Sequence, residues 1–100
     1  MIISKKLRDS ARGQQCSLNI AGVCRYDTET TILAHLPDES NGMGKKADDI
    51  SACFACSNCH TAIDTHKVPA GDRDFYFRRA MIRTWRTWFE MGLISIKGAK

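Results

Sequence analysis

The stretch Cys56-Ser57-Asn58-Cys59-His60-Thr61-Ala62-Ile63-Asp64 carries two cysteines, a histidine and a carboxylate close together. Two residues between the cysteines allow one tight turn to present both sulfurs to a single ion. Cys16 and Cys24 form a second, looser pair, which a turn at Gly22 can close. Two close pairs from distant parts of a chain are the usual arrangement of a structural zinc site. The sequence therefore predicts structural Zn²⁺ held by Cys16, Cys24, Cys56 and Cys59.

A fifth cysteine, Cys53, leaves this ligand set open. Two residues also separate it from Cys56, so Cys53 could replace Cys56 or Cys59 as a ligand. We favour a buried thiol on a strand, because free cysteine is among the most buried residue types. The same segment resembles the motifs of haem c attachment and of ferredoxin clusters. The first needs export and the second needs a further cysteine before a proline, so we set both aside.

The composition supports a small globular protein that a metal stabilises. The chain has 100 residues, enough for one domain over residues 1–100, and 43% of them are hydrophobic. A core of this size gives limited stability, so we expect a bound ion to contribute to the stability of the fold. The segment from Met1 to Arg8 has no apolar run for a signal peptide or a membrane span. We therefore expect a cytoplasmic protein without a membrane partner, in a reducing compartment where cysteines bind metals.

Secondary-structure signals predict an α+β protein. Lys5 to Gln15 is polar and basic, which indicates a short helix or an arm. Cys16 to Cys24 alternates briefly and then turns, which favours a strand followed by a turn. Thr30 to His35 and Ile50 to Ala55 predict two partner strands, joined by a loop from Asp38 to Lys46.

Two helices are predicted after the strands. Ser57 or Asn58 can cap a helix from about Cys59 to His66, and the segment from Asp72 to Met91 has strong helical periodicity. We expect one apolar stripe of this last helix to pack on the core. The stripe consists of Phe75, Met81, Ile82, Trp85, Trp88 and Phe89.

Three arginines of the last helix, Arg79, Arg83 and Arg86, share a different face. They form either a solvated basic surface or a set of contacts to DNA phosphates. The net charge of +4 permits a nucleic-acid partner without requiring one. We take DNA binding by these arginines as a prediction to be tested.

Histidine and carboxylate side chains point to a second, catalytic cation. His60 and Asp64 are four residues apart and share one helical face, where nitrogen and oxygen can bind a divalent ion. Asp64 could instead cap the helix or pair with a lysine. His35 ends the first strand, and the strand–loop–strand–helix order would bring it opposite His60 and Asp64 across a cleft. A histidine base beside a bound cation is the set of groups that phosphodiester hydrolysis needs.

The segment Leu33-Ala34-His35-Leu36-Pro37, followed by Cys56 to Asp64, resembles the HNH (ββα-metal finger) nucleases. The whole chain is more similar still to the small prophage-encoded nucleases typified by YbcO, from Ala11-Arg12-Gly13 through the cysteines to the C-terminal helix. The resemblance implies a small zinc-stapled, HNH-like finger over about residues 30–66. An additional C-terminal helix over about residues 72–91 would complete a single nuclease domain.

The resemblance also implies the function: a metal-dependent DNA endonuclease, associated with a phage or prophage in the bacterial host cytoplasm. His35 would be the general base, and His60 with Asp64 would bind the catalytic Mg²⁺, Mn²⁺ or Zn²⁺. The four cysteines other than Cys53 would hold the structural zinc. The sequence allows a homo-oligomer without specifying the oligomeric state.

Two positions depart from the HNH pattern. Ala34 stands where an acidic residue often precedes the first histidine. The middle asparagine has no clear match, since Asp48, Asp49 and Ser51 all lie near its expected place. These departures keep two alternatives open: a non-catalytic, zinc-stabilised DNA-binding module and a structural interaction domain.

Overall fold

The computed structural model describes residues 2–36 and 47–99. Within these residues the fold has three α-helices and a two-stranded antiparallel sheet, which confirms the predicted α+β class. In chain order the elements are α1 (Lys5–Asp9), a 3-10 turn (Thr28–Thr30), β1 (Ile32–His35), β2 (Ala52–Ala55), α2 (Ser57–Asp64) and α3 (Ala70–Glu90). The predicted loop from Asp38 to Lys46 lies outside the described residues.

The β1–β2 hairpin organises two apolar clusters. Leu33 pairs with Phe54, and Ala34 pairs with Cys53. Successive residues of a strand point to opposite faces, so these two pairs serve different clusters. Leu33 and Phe54 pack with α1 and with Trp88 of α3. Ala34 and Cys53 pack with the cysteine-bearing loop and with α2. Both faces of the hairpin are therefore covered, and every residue of β2 is buried.

The free edge of β2 is protected by two other segments. The backbone amide of Ser17 donates to the carbonyl of Phe54 at 2.8 Å. The amide of Phe54 donates to the Thr84 hydroxyl oxygen at 3.1 Å. An unpaired strand edge would leave these polar groups without partners. The contacts hold the loop after α1 and the long helix α3 against the same strand.

The buried face of α3 differs from the predicted one. Ala80, Thr84 and Trp88 are its buried residues, at spacings of four. Ala80 lets the helix approach closely, and Thr84 supplies the oxygen that β2 needs. The prediction of a core-packing stripe was correct for Trp88 and wrong for three residues with large exposed side chains. These are Phe75, Ile82 and Trp85.

Two local predictions were also wrong. The segment from Cys16 to Cys24 contains no strand; it turns at Gly22, whose φ is +76°, and the Cys24 amide donates to the carbonyl of Ile20. Helix α2 begins at Ser57 rather than near Cys59, with Cys56 as its N-cap residue. Both changes place the cysteine side chains around a common point. No helix in the described part of the chain is long and apolar enough for a bilayer crossing.

Candidate metal centre and candidate active site

Four cysteine sulfurs come together beside the hairpin. The Sγ atoms of Cys16, Cys24, Cys56 and Cys59 all lie within 4.8 Å of one another. The Cys24 and Cys56 sulfurs are 4.0 Å apart, far longer than a disulfide bond of about 2.05 Å. Tetrahedral zinc with Zn–S bonds of about 2.3 Å separates its sulfur ligands by about 3.8 Å. This group of cysteines, the sulfur cluster, could therefore hold one metal ion.

Backbone amides donate to two sulfurs of the cluster. The Asn19 amide lies 3.4 Å from the Cys16 sulfur, and the Tyr26 amide lies 3.4 Å from the Cys24 sulfur. Such donors favour the thiolate, which is the metal-binding form of cysteine. Asn19 and Tyr26 have left-handed backbones, with φ of +43° and +58°. Asparagine tolerates this conformation, whereas a tyrosine adopts it at a cost.

Cys53 stands apart from the sulfur cluster. Its side chain is buried in β2, and burial raises the pKa of its thiol to about 12. The group of four sulfurs within 4.8 Å of one another does not include the Cys53 sulfur. The position agrees with the interpretation of Cys53 as a packing residue.

His35, at the end of β1, is held by a buried carboxylate. Its Nε2 atom lies 2.7 Å from Oδ1 of Asp49, whose side chain is 2% exposed. An ionised carboxylate only accepts hydrogen bonds, so Nε2 carries the proton and donates it. In the neutral ring, Nδ1 is then the nitrogen with the lone pair. Asp49 thereby selects the tautomer of His35.

Asp49 is itself fixed by the N-terminal segment. Its Oδ2 accepts from the Ser4 amide at 2.6 Å and from Nε of Arg8 at 3.1 Å. Burial acts to raise the pKa of Asp49, but the hydrogen bonds from His35 and Ser4 and the charge of Arg8 outweigh it. The pKa is therefore lowered from its usual value. Asp49 is an anion that several donors surround.

His35 and His60 line the same cleft, of about 530 Å³. Asp64 is not among the described residues that line it, and lies on α2 with its Oδ2 atom 3.4 Å from Nε2 of His60. The structure thus brings the two histidines to one cleft, as expected. Asp64 reaches that cleft only through its contact with His60.

Two arginines that the sequence did not single out also line the cleft. Arg8 lies on α1, and Arg12 lies in the turn after it. Asp9 also lines the cleft and Arg8 is paired with Asp49, so the cleft carries both signs of charge, and Arg12 is the further guanidinium group that suits a phosphate. Sequence reasoning treated this segment only as a basic helix or arm. Nothing local linked it to His35, which lies more than twenty residues further along the chain.

The predicted arginine face has mixed surroundings. Arg79 donates from Nη2 to the carbonyls of Leu18 and Asn19 at 3.0 and 3.2 Å, and so supports the loop of the sulfur cluster. Arg83 makes a longer contact of 3.4 Å from Nη1 to the Ser17 carbonyl. Arg79 therefore has a structural function, and DNA contact by Arg79, Arg83 and Arg86 stays a prediction.

Comparison with known proteins identifies relatives of the chain. Two curated relatives are "Putative nuclease YbcO" from Escherichia coli (strain K12) and "Putative nuclease ybcO" from Enterobacteria phage 82. Each is 42% identical over 92 residues, which cover 89% of this chain and 96% of the relative. A solved structure, titled "Structure of a putative bacteriophage protein", comes from Escherichia coli K-12. It is 38% identical and aligns with a TM-score of 0.72, over 87% of this chain and 100% of that chain.

A family model gives the same result as these pairwise comparisons. The model described as "Putative nuclease YbcO" matches residues 5–93, which include the sulfur cluster, both cleft histidines and all of α3. The match covers well over half of the chain, and phage and bacterial relatives share it. The chain therefore belongs to the YbcO family of putative nucleases.

Proposed function

We propose that this protein is a metal-dependent DNA endonuclease of the HNH type, which hydrolyses phosphodiester bonds in a phage or prophage setting. One observation carries the proposal: His35, oriented by the buried Asp49, shares a cleft with His60 of α2. The β1–β2–α2 order matches the ββα-metal finger, proposed here for about residues 30–66. The C-terminal helix, over about residues 72–91, completes the proposed single domain of residues 1–100.

The sulfur cluster is proposed as a structural zinc site. Its four sulfurs lie within 4.8 Å of one another, near the separation of about 3.8 Å in tetrahedral zinc, and backbone amides donate to two of them. The cluster joins the loop after α1 to the start of α2, which are distant in sequence. A metal at this point would contribute directly to the stability of the fold, because the unfolded chain has no preformed site.

His35 is proposed as the general base. With Nε2 donating to Asp49, the Nδ1 lone pair can take a proton from the water that attacks phosphorus. The imidazole then becomes cationic, and the Asp49 carboxylate stabilises that charge. Arg8 already neutralises part of the carboxylate charge, and it also keeps the carboxylate in position.

His60 and Asp64 are proposed as ligands of a catalytic Mg²⁺, Mn²⁺ or Zn²⁺. Their ligand atoms are 3.4 Å apart, a separation close to that of two neighbouring ligands on one ion. A cation held there would stabilise negative charge on the phosphate and on the departing oxygen. The residues themselves provide one nitrogen and one oxygen from a single helical face.

Cationic side chains are proposed to position the DNA. Arg12 and Arg8 line the cleft itself, where they can contact the scissile phosphate. Arg83 and Arg86 lie on α3 and would add phosphate contacts outside the cleft. Arg79 is proposed as a further phosphate contact, although its Nη2 atom already donates to two backbone carbonyls.

A second candidate is a zinc-stabilised DNA-binding module without catalysis. The favouring observation is that Asp64 is not among the described residues lining the cleft, and that Ala34 provides no carboxylate beside His35. A site with two protein ligands binds a cation weakly. In this case the sulfur cluster and the arginines would keep their functions, and His35 would have none in chemistry.

Plasmid cleavage with added Mg²⁺ or Mn²⁺ separates the two candidates. We expect the parent to cut, and His35→Ala, His60→Ala and Asp64→Ala to lose cutting by at least about 100-fold, as for removal of a general base or a metal ligand. His66→Asn is the matched control, because His66 is exposed with φ of +55°, which asparagine tolerates. A parent that binds DNA and never cuts it would establish the binding module.

A further inference from the structure

A second cleft, of about 740 Å³, lies next to the first along the chain. Arg12 lines the first cleft, and the following residue, Gly13, lines the second. The other walls of the second cleft come from the loop of the sulfur cluster and from α3. The turn after α1 therefore contributes residues to both clefts.

The side chains of the second cleft suit a nucleotide. Arg83 and Arg86 supply two guanidinium groups, and Gln14, Gln15 and Asn19 supply amides that can donate and accept. Arg83 donates from Nη1 to the Ser17 carbonyl over a long distance of 3.4 Å. Cations would attract a phosphate, and amides can pair with the edge of a base.

Tyr26 adds an exposed aromatic ring to the same cleft. Its side chain is 76% exposed, the largest exposed fraction among the large hydrophobic residues of the described chain. Its backbone is left-handed, with φ of +58°, and its amide donates to the Cys24 sulfur. This hydrogen bond ties the backbone of Tyr26 to the sulfur cluster, while the ring lies in solvent.

We propose that the second cleft binds an unpaired nucleotide of the DNA substrate, with its base stacked on Tyr26 and its flanking phosphates held by Arg83 and Arg86. This inference rests on the proposed nuclease function and specifies its substrate: DNA with a single-stranded region beside the cut. A paired base cannot offer its face to an aromatic ring, whereas an unpaired base can. Exposed rings beside a basic groove are how proteins bind single strands.

The test compares single-stranded and duplex DNA of one sequence, about 20 nucleotides long, in a His35→Ala background that prevents cutting. Fluorescence anisotropy with a labelled strand measures both affinities. Removal of a stacking ring weakens single-strand binding by roughly 5- to 150-fold. We therefore expect Tyr26→Ala to lose single-strand affinity by this factor and to keep duplex affinity within about twofold. Tyr26→Phe retains the ring and should bind as the parent does.

Two controls separate stacking from loss of structure. Phe75→Ala removes a second exposed ring, which lies on α3 and does not line the second cleft. This variant should bind single-stranded DNA as the parent does. Zinc content and the melting temperature of Tyr26→Ala should equal those of Tyr26→Phe. Arg86→Ala should lower the dependence of log affinity on log salt by about 0.7 for single strands.

The outcomes distinguish this inference from the proposed function. If Tyr26→Ala binds single strands as tightly as the parent, the stacking site is wrong, while cleavage of plasmid by the parent would leave the nuclease proposal intact. If Tyr26→Ala weakens single-strand and duplex binding equally, Tyr26 does not select an unpaired base, and the inference is also wrong. If the parent binds neither form of DNA, both proposals fail together.

Discussion

Replacement of Asp49 by asparagine tests the central contact of the proposed active site. The asparagine oxygen can still accept from the Ser4 amide and from Arg8, which both approach Oδ2 in the parent. The asparagine nitrogen then faces Nε2 of His35, where Oδ1 was. Two donors cannot pair, so His35 must change tautomer and accept at Nε2. The proton moves to Nδ1, which is no longer a base.

The expected loss of stability follows from the hydrogen bonds of Asp49. Hydrogen bonds to charged groups contribute about 1.5–3 kcal/mol and neutral ones about 0.5–1.5 kcal/mol. The bonds from Ser4 and His35 each lose about 1 kcal/mol on neutralisation. The bond from Arg8 loses less, because its side chain is 49% exposed and screened by solvent. We expect a decrease of about 2 kcal/mol in the free energy of unfolding, or roughly 10 °C in melting temperature.

The expected loss of activity is larger than the loss of stability. To act as a base through Nδ1, His35 must return to the tautomer that leaves two donors in contact. This costs about 3 kcal/mol, which lowers the cleavage rate by roughly 100-fold. The variant should remain folded, with unchanged zinc content. Circular dichroism, denaturant titration and plasmid cleavage measure the three quantities.

Asp48→Asn is the matched control for Asp49→Asn. Oδ1 of Asp48 accepts a hydrogen bond from the Ile2 amide at 2.9 Å, and an asparagine oxygen can accept it as well. We expect stability within about 0.5 kcal/mol of the parent and unchanged cleavage. If Asp49→Asn also cuts DNA at the parental rate, the carboxylate does not select the tautomer of His35, and the reasoning is refuted.

The pH dependence of Asp49→Asn gives a separate test. The folded-state pKa of Asp49 is lowered, so its contribution to stability is fully present above the unfolded pKa of about 3.9. That contribution is lost as the pH falls further, through the folded pKa. The difference in unfolding free energy between parent and variant should be present at about pH 5 and shrink below about pH 4. A difference that persists undiminished in stronger acid would contradict the lowered pKa.

Two further predictions concern the metal centre and the long helix. A strong chelator, or Cys56→Ser, should remove the zinc and unfold or loosen the chain. Cys53→Ala should retain one zinc per chain and lower the free energy of unfolding by only about 1 kcal/mol. Zinc analysis with thermal melting checks this, and equal zinc loss in both variants would reassign the ligands. On α3, Ile82→Gln should change the free energy of unfolding by less than about 0.5 kcal/mol, whereas Trp88→Ala should lower it by about 3–5 kcal/mol. Urea titrations in which Ile82→Gln is the more destabilising variant would contradict the buried face described above.

Most secondary structure was predictable because its signals are local. The β-branched run before His35 and the apolar run before Cys56 identified both strands. At the end of the last helix, Gly92 follows the C-cap residue Met91 with φ of +75°, a conformation that favours glycine. The amide of Leu93 then donates to the Trp88 carbonyl at 2.9 Å, which completes a Schellman motif. These features depend on neighbouring residues alone.

The orientation of α3 was not predictable in the same way. Phe75, Ile82 and Phe89 recur at intervals of seven residues, which indicated one apolar face. A helix, however, buries the face that its partner in the fold can pack against. Here the partner is the edge of β2, where the Phe54 amide needs an oxygen to accept its hydrogen bond. The helix also lies close to the strand, so a small residue is needed at the contact. Thr84 and Ala80 meet these needs, and they outweigh the more apolar stripe.

The sequence by itself identified the cysteines that could bind metal, because cysteine spacing limits which sulfurs can reach one ion, and the tertiary structure then left Cys53 out of the group. The sequence also placed His35 at the end of a strand and His60 in the helix that the ββα order brings beside it. Only the tertiary structure decided that Asp49 is the partner of His35, that Arg8 and Arg12 line their cleft, and that Arg79 supports the loop of the sulfur cluster. These contacts join segments far apart in the chain. Their energies depend on burial and on the direction of each donor, which arise when the segments pack.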